Sequence, residues 1–334
     1  MPPFLLQSEF SDVGRFLGSN IAIAKAGFFG PSNVLPPGVW TLRTGYPLAN
    51  VRTLTGNATR MVVLDGAGGV AYSDNHGATW HLGSGLSSID GQAIATNGIN
   101  LWIVSSSTGN IYTSTDGATW THAVDIGPLQ GQPSIVYGNG LFVLGAQSSS
   151  QVVNVYTSTN GTAWTGHGTS TPSEMFVQVF DGTNFVASAI GASAEVVFNA
   201  NPVSSAWTVT STPQFVPNNN VIVIGYNGGV YVGTDQEFPS VVQQSPSPTW
   251  SGTNLTQPLS DDVQGVTYGQ GVWCLVGDVT GTAFPQAATS PDLINFTLED
   301  LDMGAAGHEG LVGVLPAGGA LVAWTSNNLL STRN

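Results

Sequence analysis

Short runs of alternating apolar and polar residues recur along most of the chain, and each stops at Gly, Asn or Asp. Alternation of period two predicts half-buried strands, and the punctuating residues predict tight turns. Gln92–Thr96 and Leu101–Ser105 read as two strands joined across Asn97-Gly98. Ser134–Tyr137 and Leu141–Gly145 repeat the arrangement across Gly138-Asn139-Gly140, as do Val263–Tyr268 and Val272–Gly277. A third run follows, clearest in Tyr112-Thr113-Ser114-Thr115-Asp116-Gly117-Ala118-Thr119-Trp120. Its Asp-Gly tolerates the positive φ of a tight turn, and its tryptophan opens a fourth strand and is placed to pack between neighbouring sheets. Tyr72-Ser73-Asp74-Asn75-His76-Gly77-Ala78-Thr79-Trp80 aligns on this run without gaps. So does Tyr156-Thr157-Ser158-Thr159-Asn160-Gly161-Thr162-Ala163-Trp164, and Ser290-Pro291-Asp292-Leu293-Ile294-Asn295-Phe296 is a weaker copy.

The aromatic position keeps time along the chain. Trp40, Trp80, Trp120, Trp164, Trp207, Trp250 and Phe296 are separated by 40, 40, 44, 43, 43 and 46 residues. A four-stranded propeller blade has a period of roughly 40–45 residues. The two ends complete each other: Gly38-Val39-Trp40-Thr41-Leu42 is a last strand with no three before it. Gly310–Leu315, Ala320–Thr325 and Asn328–Thr332 are three strands with no fourth. Joining them yields one further blade and removes the free sheet edges. The expectation is an all-β, seven-bladed β-propeller with its N-terminal strand closing the last blade. The closing strand falls at 38–43 and the blades at 50–84, 90–124, 132–168, 174–210, 214–252, 262–300 and 308–334. Residues 1–37 carry no repeat. Phe4, Leu5, Leu6, Phe10, Phe16, Phe28 and Phe29 make this segment more apolar than a disordered tail, and it is predicted to be an arm that docks on a partner.

The hairpin motif Ser-x-Asp/Asn-Gly-x-x-Trp-Thr, at Ser114–Thr121 and Ser158–Thr165, resembles the Asp-box or bacterial neuraminidase repeat. That family includes sialidases, xyloglucan-degrading propellers, sortilin-type receptors, photosystem assembly factors and many bacterial and phage proteins. The resemblance covers roughly residues 40–334 as architecture. The first copy departs from it at Asn75-His76, and the fourth and fifth copies are reduced to Trp207 and Trp250. The resemblance implies a propeller and leaves the activity open, because such boxes sit on outer hairpins and fold alone does not define function.

Composition narrows the function classes. Only 8% of residues are charged and the formal net charge is -14. The cations are Arg15, Lys25, Arg43, Arg52, Arg60 and Arg333, so none falls between Met61 and Thr332. Nucleic acid and anionic membrane surfaces, which require clustered cations, are excluded as partners. A sialidase holds its substrate carboxylate with three arginines, and Arg52, Arg60 and Arg333 cannot supply three from separate blades. A polysaccharide lyase meets the same shortage. A neutral-sugar glycosidase needs two carboxylates across the scissile bond. Asp65, Asp90, Asp181, Asp261, Asp262 and Asp278 are available, but their spacing singles out no pair and they read as turn and strand-end residues. His76, His81, His122, His167 and His308 read as surface turn residues rather than ligands, and Glu299-Asp300-x-Asp302 as a solvated acidic loop rather than a calcium site. Gly66–Gly69 lacks the lysine and helix of a phosphate loop. Cys274, the single cysteine, lies in an apolar run and reads as a buried thiol. No cofactor or metal is expected.

Binding remains. The loop surfaces are rich in amides and hydroxyls and suit sugars or flat protein contacts; Tyr137, Tyr226 and Trp273 are candidates for sugar stacking, with core packing the better reading for Trp273. The start Met-Pro-Pro-Phe-Leu-Leu-Gln-Ser lacks a secretory signal, and no stretch has membrane-span length. An export-less start, a cation-poor surface, a propeller and an aromatic arm together predict a non-enzymatic virion protein of a bacterial virus. It would be a tail, fibre or capsid-surface module in a symmetric or homo-oligomeric assembly, binding other virion proteins and in one variant a host-surface glycan. A secreted carbohydrate-active propeller, glycosidase or lectin, is the second reading, with an extracellular location. An assembly-factor scaffold is the third.

Overall fold

The computed structural model describes residues 38–49, 51–86, 89–148, 155–168, 174–190, 194–204, 206–211, 223–234, 241–250, 252–259, 263–277, 285–303, 311–325 and 329–333. All elements among them are strands, arranged in seven antiparallel sheets of four. The first strand in the chain, β1 (Trp40–Arg43), belongs to the last sheet. Blade 1 is β2 (Val51–Gly56), β3 (Met61–Asp65), β4 (Val70–Ser73) and β5 (His81–Leu82). Blade 2 is β6 (Gly91–Thr96), β7 (Trp102–Ser106), β8 (Asn110–Ser114) and β9 (Thr121–Asp125). Blade 3 is β10 (Leu129–Gly138), β11 (Leu141–Ser148), β12 (Val155–Ser158) and β13 (Thr165–His167). Blade 4 is β14 (Glu174–Phe180), β15 (Phe185–Ile190), β16 (Ala194–Asn199) and β17 (Thr208–Ser211). Blade 5 is β18 (Val223–Asn227), β19 (Val230–Thr234), β20 (Val242–Ser245) and β21 (Thr253–Asn254). Blade 6 is β22 (Val263–Gly269), β23 (Val272–Gly277), β24 (Gln286–Ser290) and β25 (Thr297–Asp300). Blade 7 is β26 (Leu311–Ala317), β27 (Ala320–Thr325), β28 (Leu330–Arg333) and β1.

The first strand of each sheet packs on the first strands of both neighbours, β2 on β6 and so on around to β26 on β2, which closes a ring about a central channel. The expected closure is present: β1 pairs antiparallel with β28, Trp40 opposite Arg333 and Arg43 opposite Leu330. Blade 7 therefore takes its outer strand from the N-terminal side of the chain and its other three from the C-terminal side.

Seven apolar clusters fill the seven interfaces, each built from the facing sides of two consecutive blades. Each includes the periodic aromatic of the later blade. Trp120 of blade 2 packs with Val62, Leu64 and Val70 of blade 1. Trp207 of blade 4 lies with Val136 and Val143 of blade 3, and Trp40 of blade 7 with Cys274 and Val276 of blade 6. One large apolar side chain buried in this way contributes about 1.5–3 kcal/mol, which explains why the aromatic is the most regular feature of the repeat.

Two turn designs connect the inner pair of strands. Blades 3 and 6 use two-residue turns with positive φ at both positions, Asn139-Gly140 (48° and 77°) and Gln270-Gly271 (52° and 79°), whose twist matches that of the strands. Blades 1, 2 and 4 use longer turns in which the Asn57, Asn97 or Asp181 side chain accepts backbone N–H bonds. The inner strand of blade 3 is longer than the expected Ser134–Tyr137. It continues back to Leu129 because a register shift between Gln130 and Ser134 accommodates Pro133, which lacks a ladder donor.

Candidate functional site

The hairpin motif forms the same hydrogen-bonded turn in four blades. In blade 2, Ser114 Oγ donates to Asp116 Oδ1 (2.8 Å) and accepts from Gly117 N (2.8 Å). Asp116 Oδ1 accepts from Ala118 N and Thr119 N, both at 2.8 Å. Ser158 with Asn160 and Gly161 repeats this in blade 3, and Ser290 with Asp292 in blade 6. In blade 6 Leu293 takes the positive-φ position (61°) that Gly117 and Gly161 occupy, and its side chain is buried in the interface with blade 5. Burial alone would raise the Asp292 carboxyl; bonds from Asn295, Ile294 and Ser290 outweigh it and bring the pKa down to about 2.

Two features of the motif differ from the sequence reading. The gapless alignment of the first copy is shifted by one residue: Ser73, opposite Met61, stands where Ser114 stands opposite Trp102. Asn75 then plays the part of Asp116, accepting from Thr79 N at 2.8 Å, and His76 is an inserted residue at φ 58°. Gly77 N still bonds to Ser73 Oγ (2.8 Å), so the turn absorbs the insertion. The fifth copy is not reduced to Trp250. Ser245 and Ser247 form a hydroxyl version, with Ser247 N donating to Ser245 Oγ (3.3 Å) and Thr249 N to Ser247 Oγ (3.2 Å). A hydroxyl reaches fewer backbone donors than a carboxylate or amide, so the pattern is hard to see in sequence.

The acidic run at 299–302 is a correction of larger consequence. Glu299 is a buried residue of β25, not part of a solvated loop. Its carboxylate accepts from Trp40 Nε1 (2.8 Å), Arg333 Nε (2.8 Å), Gly38 N (2.8 Å) and Thr289 Oγ1 (2.7 Å). Arg333 also reaches Gln270 Oε1 (3.3 Å), and Asp302 accepts from Leu42 N (3.4 Å). A Cβ on Gly38 would lie 1.8 Å from Arg333 Nε, so only glycine lets the guanidinium pass. This clasp joins blade 6 to both halves of blade 7. The adjacent Cys274 is buried, and burial followed by the Glu299 charge pushes its thiol well up from the ordinary range.

The channel is a concave feature that all seven blades share. It encloses about 320 Å³ and is lined by inner-strand residues from all seven blades. Register shifts recur at its wall: the pairing skips Arg52 in β2, Gln92 in β6, Gln178 in β14 and Gln264 in β22, and all four line the cavity. A bulge turns a side chain that alternation would place elsewhere, and here it supplies polar groups to the free edges of the inner strands. Arg52 Nη2 donates to Gln92 Oε1 (2.6 Å), and Gln92 Nε2 donates to Asp90 Oδ1 (2.5 Å). Gln178 accepts from Ile224 N of blade 5 (2.6 Å) and donates to Ser188 Oγ (2.7 Å). Two of these bonds cross between blades, Arg52 to Gln92 from blade 1 to blade 2 and Ile224 N to Gln178 from blade 5 to blade 4. Trp324 and Ser134 also line the cavity, but their Nε1 and Oγ atoms are themselves buried and have no hydrogen-bond partner among the described residues. The sequence reading missed this wall. The signal available was a Gln or Arg interrupting the inner strands of blades 1, 2, 4 and 6, as in Val177-Gln178-Val179 and Val263-Gln264-Gly265.

The remaining candidates are scattered. Asp65 lies buried at the end of β3, Asp90 precedes β6, and Asp181 accepts from Thr183 N (2.7 Å), Asn184 N (2.6 Å) and the Tyr231 hydroxyl. Burial, then the bond to Asp181, raises the Tyr231 pKa. Asp261, Asp262, Asp278 and His308 lie outside the described residues, as do Phe4, Leu5, Leu6, Phe10, Phe16, Phe28 and Phe29. His81, His122 and His167 sit on outer strands rather than in turns; His122 Nε2 meets Asp125 at 2.7 Å, and His167 bonds Thr157 Oγ1 at 2.9 Å. Trp273 is buried in the core, Tyr137 is half-buried against Phe142, and Tyr226 lines the channel. Among the described residues, no three His, Cys, Asp or Glu side chains gather as a metal site.

These features define a seven-bladed β-propeller. Solved structures agree on the fold. YCF48 from Cyanidioschyzon merolae is similar at 12% identity and a TM-score of 0.65, over 88% of this chain and 98% of that one. YCF48 bound to a D1 peptide matches at 16% and 0.65, over 91% and 98%. The Niastella koreensis GH74 enzyme matches at 17% and 0.61, over 85% of this chain and 43% of that one. No family model matches the sequence, and no curated protein does.

Proposed function

We propose that the chain is a non-catalytic binding propeller of the Asp-box type, serving as a structural or adhesion module of a bacterial virus particle. The observation that carries the non-catalytic part is the chemistry of the channel wall. Among the described residues lining it, the polar groups are amides, hydroxyls and Arg52, and the amides of Gln92 and Gln178 are engaged in bonds between blades. Such a wall suits holding and binding rather than acid–base chemistry, which calls for positioned titratable groups. The Ser–Asp/Asn turns of blades 1, 2, 3 and 6 support the Asp-box assignment. A propeller of similar fold, YCF48, has been solved with a bound peptide, which supports a protein partner here. The cation-poor sequence and the aromatic arm of residues 1–37 support a particle component that docks through that arm.

Mass spectrometry of purified particles tests the location: the chain is expected among the structural proteins, and its absence overturns the virion role. Deleting residues 1–30 while keeping β1 is expected to leave a folded propeller that no longer joins the particle. Incubation with sialosides and with xyloglucan tests the catalytic status. No turnover is expected, and turnover lost on mutating a blade carboxylate overturns the reading. The likeness to a GH74 enzyme is the one observation favouring a glycosidase instead.

A further inference from the structure

We propose that Asn139-Gly140, the turn between β10 and β11 of blade 3, is a self-modification site, where the asparagine deamidates through a cyclic imide to isoaspartate and aspartate. The proposal is independent of the virion role. The chain contains Asn-Gly at Asn97, Asn139, Asn160 and Asn227, and a following glycine leaves the attacking backbone nitrogen least obstructed. The structure sorts the four. Asn97 Oδ1 accepts from Ile99 N, Asn100 N and Leu101 N, and Gly98 N is bonded to Thr96 Oγ1 (3.0 Å). Asn160 Oδ1 accepts from Thr162 N and Ala163 N, and Gly161 N is bonded to Ser158 Oγ (2.8 Å). Asn227 is hydrogen-bonded to Tyr268. Asn139 differs from all three. It and Gly140 are exposed, and open space surrounds Gly140. Among the described residues, neither the Asn139 side chain nor the Gly140 N–H is held by a hydrogen bond.

In the reaction the Gly140 nitrogen bonds to Cγ of Asn139 and gives up its proton. The Cγ–Nδ2 bond breaks, and ammonia leaves with that proton. Water then opens the imide: addition at Cγ yields aspartate, and addition at the backbone carbonyl of Asn139 yields isoaspartate. The imide ring holds the ψ of its residue at about -120°, which with a φ of about +60° is the first central position of a type II′ turn. Asn139 already stands at φ 48°. Rotation of the one peptide between Asn139 and Gly140 therefore carries the present turn, with positive φ at both positions, into type II′. Both are favoured two-residue hairpins, and the glycine accepts either sign of φ. The imide can thus form with Leu141 still opposite Gly138. Gln270-Gly271 of blade 6 makes the same turn, at 52° and 79°, and is a control within the molecule. Its longer side chain must close a six-membered ring, a slower reaction, and it is also held by Arg333 and Gly319.

The experiment incubates the folded full-length chain in mildly alkaline buffer made with 18O-labelled water. Peptic digestion in acid then halts the reaction, and mass spectrometry reads conversion at the four asparagines, the label marking what formed during incubation. A parallel sample unfolded in guanidinium gives the intrinsic rate of each site. Folding should slow Asn97 and Asn160 about tenfold or more, because each must first lose its backbone bonds, and should slow Asn139 far less. Isoaspartate should be found at Asn139 alongside aspartate, as water opens the imide at either carbonyl. Asn139→Gln copies the blade 6 turn, so it should fold, and it should abolish the labelled product in that peptide. Asn139 slowed by folding as much as Asn160, isoaspartate forming first at Asn97 or Asn160, or labelled product persisting in Asn139→Gln overturns the proposal.

Discussion

Trp120 and Trp40 hold the same position in blades 2 and 7, yet they are secured by different means. Trp120 is packed among Val62, Leu64, Val70 and Ile94, and its indole N–H has no partner among the described residues. Trp40 is packed as well, but its N–H is bonded to Glu299, which also receives Arg333 and the Gly38 backbone. The difference follows from how each strand arrives. The outer strand of blade 2 is delivered by a tight turn that fixes its register through Ser114 and Asp116. β1 has no such turn, and a slip of one residue would turn Trp40 out of the interface. Directional bonds from Glu299 replace the missing turn. Packing suffices where the chain supplies the register, and a buried polar clasp appears where it does not.

The most severe way to break this contrast is to delete residues 1–45. That removes β1, exposes β28 as an edge and leaves the interface of blades 6 and 7 without its aromatic. Loss of the single cooperative unfolding transition, or aggregation, is the expected outcome in a denaturant titration followed by fluorescence and light scattering. A truncated protein as stable as the full chain would show that the clasp closes nothing.

A sharper test separates charge from register. Glu299→Ala leaves Arg333 buried without its partner and should cost about 3–5 kcal/mol in chemical denaturation. Replacing both members, Glu299→Leu with Arg333→Met, should recover most of that loss, because a buried ion pair is often no more stabilising than apolar residues of similar volume. If the double variant is the less stable of the two, the pair contributes net stability and not only register. Gly38→Ala should cost less, about 1–3 kcal/mol, through the steric conflict with the Arg333 guanidinium. Gly45→Ala, which has open space around it, controls for a general glycine effect, although its φ of 77° carries a backbone cost of its own.

Much of this architecture was legible in the sequence, and what was not has a physical explanation. The period of the aromatics and the complementary ends led directly to seven blades and to closure by β1. The clasp was missed because Glu299-Asp300-x-Asp302 reads as a solvated cluster, and nothing local indicates that Glu299 turns inward to Arg333. The channel wall was missed because a bulge breaks the alternation from which strand faces are read, so Arg52, Gln92, Gln178 and Gln264 pass for surface positions. The one-residue insertion at His76 was hidden because Tyr72 and Trp80 keep the same separation as Tyr112 and Trp120.

The smallest predicted effect concerns the turns that do supply register. The Asp292 carboxyl titrates at about 2 in the folded chain, against about 3.9 in an unfolded one. A depressed folded value means that its stabilisation is complete above the unfolded pKa and disappears as pH falls through the folded one. Thermal stability should therefore show a component lost between roughly pH 4 and pH 2. Asp292→Asn should flatten that component while keeping the turn, as Asn75 and Asn160 already do in blades 1 and 3. An unchanged pH profile for the variant would place the titration elsewhere.

Closure by β1 also sets an order of events during synthesis. On the ribosome, β1 emerges before any other strand of the ring, and its partner β28 emerges last. Blades 1 to 6 are each made of four consecutive strands and can complete themselves as they appear. The pairing of Trp40 with Arg333 must wait until the other strands of all seven blades have been made. The entropic cost of joining such distant ends rises only slowly with length, so the consequence is delay rather than a large penalty. During that delay the incomplete blade offers an unpaired edge to any neighbour, and β1 of one molecule is the natural fit for the vacancy in another. At high local concentration, strand-swapped dimers are the by-product to look for in this protein.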